Sequence, residues 1–322
     1  MARGVSSRTG GVRDGRARAD GGNRAARSER PPTEGANRAA RDLDRMSARD
    51  IARLMNREDR RPVAAVRRVT PAIARAVDLI VDALRGGGRL FFVGAGTSGR
   101  LGVLEAAECP PTFGTPPRLV QAIMAGGRAA VFRSREGAED DAGAARRAVG
   151  ARVRRGDVVV GITASGRTPF ALAGLVEARR LGAGTVLVAC NAGETRGLAD
   201  VVIAPWPGPE VLAGSTRLKA GTATKLVLNT LTTASMVRLG KVHGNRMIDL
   251  EPRSRKLRAR ASRLVEEIGG VSRARAQRAL RAAGGHARLA IAIARLGLPA
   301  AKARAALRRH GGDLRSLLDT AP

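Results

Sequence analysis

Five short apolar runs, spaced by stretches of helical periodicity, constrain the fold of this chain more than any other feature. The runs are RLFFVGAG (89–96), RLVQAIMA (118–125), DVVVGIT (157–163), GTVLVAC (184–190) and DVVIAPW (200–206). Segments such as FALAGLVEARRLG (170–182) lie between them. Strands that are apolar almost without a break have no wet face, so both faces of their sheet must be covered. Strand and helix alternating along the chain supply that cover. The expectation is an α/β fold, a three-layer αβα sandwich on a five-stranded parallel sheet. Ligands on such sheets sit outside the carboxyl ends of the strands.

The flanks read differently. Residues 1–32 hold Arg, Gly, Ser and Ala with almost no large apolar side chain, and read as a disordered tail. Residues 39–86 look helical. Ser47 suits an N-cap with Asp50 three residues on, and Pro71 can open a helix whose Ile73, Val77, Ile80, Val81 and Leu84 share a face. With these helices at its start, 33–250 forms one unit. A lightly charged helical stretch over 215–240 reads as buried or as a subunit interface. After Pro252, Arg/Ala/Leu helices broken by Gly-Gly at 269–270, 284–285 and 311–312 predict a small helical domain over 251–322.

A formal net charge of +30 points on its face to nucleic acid or an anionic membrane. Only five of the 58 basic residues are Lys, aromatic residues are 2% and Tyr is absent, which fits a GC-rich coding bias. The charge is also spread out: nine Arg against four acids over 1–40, and 17 Lys/Arg against five acids over 251–322. This argues against a specific nucleic-acid surface and leaves salt-sensitive, non-specific polyanion binding. No apolar run reaches the ~18–20 residues of a membrane helix. No apolar stretch follows the basic N-terminus, so a secretory signal is not expected. Cys109 and Cys190 stand apart in apolar contexts without CxxC spacing, as buried free thiols of a cytoplasmic protein would. His243, His286 and His310 do not cluster and no HExxH pattern occurs, so a metal site is not expected.

The first strand runs into VGAGTSGRLG, where Gly94, Gly96 and Gly99 match GxGxxG. A dinucleotide site also needs an acidic residue at the end of the second strand, and that strand ends in Met124, Ala125 and Gly126. Thr97 and Ser98 give the same glycines a simpler use, hydroxyls and amides at a helix start that can hold a phosphate. The third strand ends alike, in Thr163, Ser165, Gly166 and Thr168 of TASGRTP. Ser215, Thr216, Arg217 and Lys219 stand at another helix start, with cations suited to an anion. Glu105 and Glu108 follow the first loop, and Pro110 and Pro111 are expected to stop their helix just beyond. Glu136 and Glu139 follow the second strand. Carboxylates on separate segments can serve as an acid and a base over one substrate, or can be plain surface charges.

Four segments in this order, GAGTSGRLGVLEAAECPPTFG, EGAED, ASGRTP and GPEVLAGSTRLKAGTATKLVLN, resemble the N-acetylmuramic acid 6-phosphate etherase family of the sugar-isomerase (SIS) superfamily. The resemblance spans roughly 33–322 and includes the layout of the C-terminal helices. It implies a flavodoxin-like SIS sheet, a homodimer, no metal or redox cofactor, and a sugar phosphate as the small-molecule partner. It also implies cleavage of the lactyl ether to N-acetylglucosamine 6-phosphate and D-lactate. Matched motif to motif, Glu108 takes the proton-donor role and Glu139 the base role. Ser98, Ser165 and Thr168 become phosphate or sugar ligands, Thr97, Gly166 and Arg167 lie close by, and Lys219 joins them. The family usually has Asp where Glu105 stands. An aldose–ketose isomerase and a non-catalytic sugar-phosphate sensor, akin to the related glucokinase regulatory protein, are the alternatives.

Overall fold

The computed structural model describes residues 35–191, 197–249 and 255–320, together with Met1 and Gly4. Apart from Met1 and Gly4, the expected tail over 1–32 lies outside the described residues, as does the expected boundary at 250/251.

The N-terminal segment folds into α1 (Ala48–Glu58), α2 (Arg60–Arg68) and α3 (Thr70–Arg85). Ser47 caps α1 by accepting a hydrogen bond from the Asp50 N–H, and Pro71 opens α3 as expected. The five apolar runs become β1 (Leu90–Gly94), β2 (Val120–Met124), β3 (Val158–Thr163), β4 (Gly184–Ala189) and β5 (Val201–Ile203). All pair in parallel, in the order β2-β1-β3-β4-β5. β5 stops at Ile203, short of its expected end, because Pro205 and Pro207 lack the N–H a ladder needs.

Between the strands run α4 (Gly96–Phe113), α5 (Ala129–Phe132), α6 (Ala142–Gly150) and α7 (Pro169–Arg180), with α8 (Lys219–Arg238) after β5. Successive strand residues point to opposite faces. Phe92, Val160 and Val188 pack with Ile80 of α3, Cys109 of α4 and Leu228 of α8, while Phe91, Val159 and Leu187 pack with Val149 of α6 and Leu175 of α7. The three-layer αβα sandwich therefore follows from strand alternation alone.

One expectation is corrected. Pro110 and Pro111 do not stop α4, which continues through them to Phe113 and ends on left-handed Gly114. Each proline removes one backbone hydrogen bond from the preceding turn, but that loss does not unwind a helix already packed on β1, β2 and α8.

A short hairpin, β6 (Val242–His243) and β7 (Arg246–Met247), leads toward the C-terminal helices. These are α9 (Arg255–Gly269), α10 (Arg273–Ala282), α11 (Ala287–Leu296), α12 (Ala300–Arg309) and α13 (Leu314–Asp319). They enclose a core of their own around Val265, Ile291 and Leu314, which Ile248 enters from the segment after β7. Lys241 and Arg288 both bind Asp249 where the two parts meet.

Candidate active site

Two hydroxyl-bearing loops close over the carboxyl end of the sheet. In the first, β1 turns straight into α4. A Cβ at Gly99 would stand 2.5 Å from the Gly94 carbonyl oxygen and 2.5 Å from the Met124 sulfur, so only glycine lets the helix start this close to the strands. The N-cap Ala95 offers no side-chain acceptor to the first turn, where Thr97 and Ser98 sit half-buried. First-turn N–H groups with no capping side chain are an anion's natural partners.

The second loop, Thr163–Thr168, is braced from within. The Thr163 hydroxyl lies 2.8 Å from that of Thr168 and accepts from the Gly166 N–H at 3.2 Å, while the Ser165 hydroxyl accepts from the Arg167 N–H at 3.2 Å. Gly166 has φ +77°, and a Cβ there would stand 2.0 Å from the Asn191 carbonyl oxygen. This turn admits no other residue.

Glu139 reaches the same neighbourhood through its backbone, since its carbonyl accepts from the Phe170 N–H of α7 at 2.9 Å. Its side chain is exposed, on the rim of a cavity of about 110 Å³ lined by Gly96, Arg100, Met124, Ser134 and Glu136 among others. Arg100 of α4 donates to the carbonyls of Val131 (2.8 Å) and Ala130 (2.9 Å) and ties α5 to α4. Thr97, Ser98, Ser165, Gly166, Arg167, Thr168 and Glu139 thus gather at the carboxyl end of the sheet, beyond β1 and β3. A larger cavity of about 750 Å³ lies between α9 and α10 but has neither such loops nor a carboxylate pair.

Lys219 does not join this cleft surface. Its side chain is 1% exposed, and its ammonium lies 2.6 Å from the carboxylate of Glu58, itself 3% exposed. Burial would push the Glu58 carboxyl up. Hydrogen bonds from Lys219 and Asn37, with the charges of Lys219 and Arg61, outweigh it and hold the carboxyl below its ordinary value. Buried Glu210 accepts from the N–H groups of Lys219 and Ala220 at 2.9 Å each, so the start of α8 is already capped by a carboxylate of this chain. The third helix start named in the sequence is therefore a structural joint. Arg217 is exposed beside it.

The acids of α4 part company. Glu108 is exposed. Glu105 is 5% exposed and faces α8, where Thr232 donates to it at 2.6 Å and Asn229 donates as well. Burial raises the Glu105 carboxyl; these two donors and Lys225 pull it down, and Glu108 adds to the rise. Sequence reasoning missed Glu58, Glu210, Asn229 and Thr232, whose partners are distant in the chain. Both thiols are buried and pushed up to about 12, chiefly by burial, which leaves them inert. Among the described residues no three His, Cys, Asp or Glu gather as metal ligands, and no helix is long and apolar enough to cross a membrane.

Residues 72–179 match the family model of the glucokinase regulatory protein N-terminal SIS domain. The chain is 54% identical over 260 residues to the N-acetylmuramic acid 6-phosphate etherase of Symbiobacterium thermophilum, covering 80% of this chain and 87% of that one. It is 50% identical over 290 residues to the etherase of Mesorhizobium japonicum (89% and 94%) and 49% identical over 288 residues to that of Mycolicibacterium smegmatis (89% and 97%). A phosphoheptose isomerase from Francisella tularensis is similar over 60% of this chain and 100% of its own, at 20% identity and a TM-score of 0.48. The chain belongs to the N-acetylmuramic acid 6-phosphate etherase family.

Proposed function

We propose that this protein cleaves the D-lactyl ether of N-acetylmuramic acid 6-phosphate, giving N-acetylglucosamine 6-phosphate and D-lactate. The observation that carries the reading is the pairing of two hydroxyl-bearing helix starts with an exposed carboxylate at the carboxyl end of the sheet, in a chain of the etherase family. Thr97 and Ser98 at α4, and Ser165, Gly166, Arg167 and Thr168 before α7, hold the phosphate and sugar through amides and hydroxyls. Lys219 contributes from beneath, by fixing the start of α8.

The chemistry needs one base and one acid. In the ring-opened sugar the aldehyde makes the proton on carbon 2 acidic. Glu139 removes it, and the electron pair forms the carbon 2–carbon 3 double bond as the carbon 3–oxygen bond breaks. Glu108 protonates the departing lactate oxygen. Water then adds at carbon 3 and a proton returns to carbon 2, which completes a net hydrolysis. The protein works as a homodimer in the cytoplasm, with 33–250 as the catalytic unit and 251–322 as a helical appendage. The buried free thiols fit a reducing compartment.

Incubating the purified protein with N-acetylmuramic acid 6-phosphate and assaying D-lactate tests this reading. Release of D-lactate supports it; a bound sugar phosphate without lactate overturns it in favour of a sensor. Glu139→Gln should abolish exchange of the carbon-2 proton of the product with solvent deuterium, whereas Glu108→Gln should stop lactate release and leave that exchange.

A further inference from the structure

One guanidinium in the candidate active site has no counter-charge. Among the described residues three arginines are not exposed, Arg89, Arg100 and Arg288. Arg89 pairs with Asp157 at 2.7 Å, and Arg288 pairs with Asp249. Arg100 forms an ion pair with no carboxylate of the described residues. Its Nε and Nη2 donate only to neutral oxygens, the carbonyls of Val131 and Ala130 and, at 3.5 Å, the Ser134 hydroxyl. These bonds fix the guanidinium plane and leave Nη1 without a partner among the described residues. Glu136 and Glu139 line the same cavity as Arg100, but both are exposed and neither pairs with it. A charge drawn partly out of water without a counter-charge is costly. A planar fork already held in place, with N–H groups to spare, suits a carboxylate or a phosphate.

The cavity narrows the choice of anion. Its volume is about 110 Å³. A site for a whole small molecule takes about 300–1,000 Å³, so this cavity fits a substituent and not the sugar ring. It lies on the β2 side of the α4 start, against Met124, whereas the Thr163–Thr168 loop follows β3 on the other side of β1. A phosphate held between the two loops leaves the cavity free. Glu139 stands on its rim, and the proton that Glu139 removes is on carbon 2. The branches next to that proton are the acetamido group on carbon 2 and the lactyl ether on carbon 3. The acetamido group is neutral, and the lactyl group ends in a carboxylate.

We propose that Arg100 binds the carboxylate of the lactyl group, seats that branch in the cavity beside Glu139, and so selects the ether substrate over sugar phosphates that lack it. This rests on the etherase reading above. The contact also holds carbon 3 and its leaving oxygen in place while carbon 2 loses its proton.

The primary amide of N-acetylmuramic acid 6-phosphate tests it, because the amide keeps the shape of the branch and removes its charge. Release of lactate from the acid and of lactamide from the amide gives kcat/KM for each. With the wild-type protein the acid should be favoured by about 10–100-fold, as for a hydrogen bond to a charged group. In Arg100→Gln the acid should lose that advantage, and the two should agree within about threefold. Arg100→Lys, which keeps the charge without the fork, should restore part of the preference. The product N-acetylglucosamine 6-phosphate has no lactyl branch, so the KM for exchange of its carbon-2 proton should change by less than about threefold in Arg100→Gln. Equal use of acid and amide by the wild-type protein overturns the proposal and gives the cavity to the acetamido group. A preference that survives Arg100→Gln overturns it too. A product KM raised as far as the substrate's would show that the guanidinium meets the phosphate, and would also overturn it. Circular dichroism checks that the variants fold, and the comparison of acid with amide on the wild-type protein needs no variant. Failure of the wild-type protein to release lactate from the acid would instead overturn the etherase reading.

Discussion

Replacing Lys219 by Met separates a structural lysine from a substrate-binding one. The ammonium is 1% exposed and lies 2.6 Å from Glu58, which is 3% exposed. Removing one member of a buried ion pair strands the other, at a cost of about 3–5 kcal/mol. Glu58 keeps Asn37 at 2.7 Å and Arg61 at 3.2 Å, which places the expected loss near 3 kcal/mol, on the order of 10 °C in Tm. Urea or thermal unfolding reads it. Lys219→Met with Glu58→Gln should recover most of the loss, since neither member of the pair is then left buried without its partner. The pH dependence has a definite sign. The folded Glu58 carboxyl lies below its ordinary value of 4.5, so its stabilisation is complete above that value and is lost as pH falls through the lower, folded one. Lys219→Met should flatten that acid limb. In kinetics, KM should stay within about twofold of wild type, as for any residue that touches no substrate. A variant of unchanged stability with KM raised tenfold or more would show that the ammonium meets the substrate, and would refute the reasoning.

Three further outcomes follow from the packing. Gly166→Ala forces a Cβ to within 2.0 Å of the Asn191 carbonyl oxygen at φ +77°, so it should cost at least about 1–3 kcal/mol in unfolding and weaken sugar-phosphate binding in a titration. Glu105→Ala removes the acceptor of the Asn229 side chain and leaves the Thr232 hydroxyl only the Leu228 and Asn229 carbonyls, so it should lower stability by about 1–3 kcal/mol, with Glu105→Asp closer to wild type in a thermal melt. Neither thiol should react with a disulfide reagent at pH 8 until the protein unfolds, because burial holds both pKa values at about 12.

Much of this molecule is legible in one dimension because burial on both faces writes itself into a strand as a continuous apolar run. The five runs, the capped α1, Pro71 at the start of α3 and the glycines of both loops are local features, and their consequences are local. What the sequence leaves open is which element covers which. Pro110 and Pro111 read as a stop, yet packing against the sheet and α8 carries α4 on to Phe113. Lys219 reads as a helix-start cation suited to an anion, but Glu58, 161 residues away, draws it into the core. Glu105 and Glu108 read as two carboxylates of one helix, and only α8 decides that one is buried and the other left outside. By itself the sequence determined the sheet, the two hydroxyl-bearing loops and the family. Only the tertiary structure decided which charges face inward, because periodicity records that a side chain is covered and not what covers it.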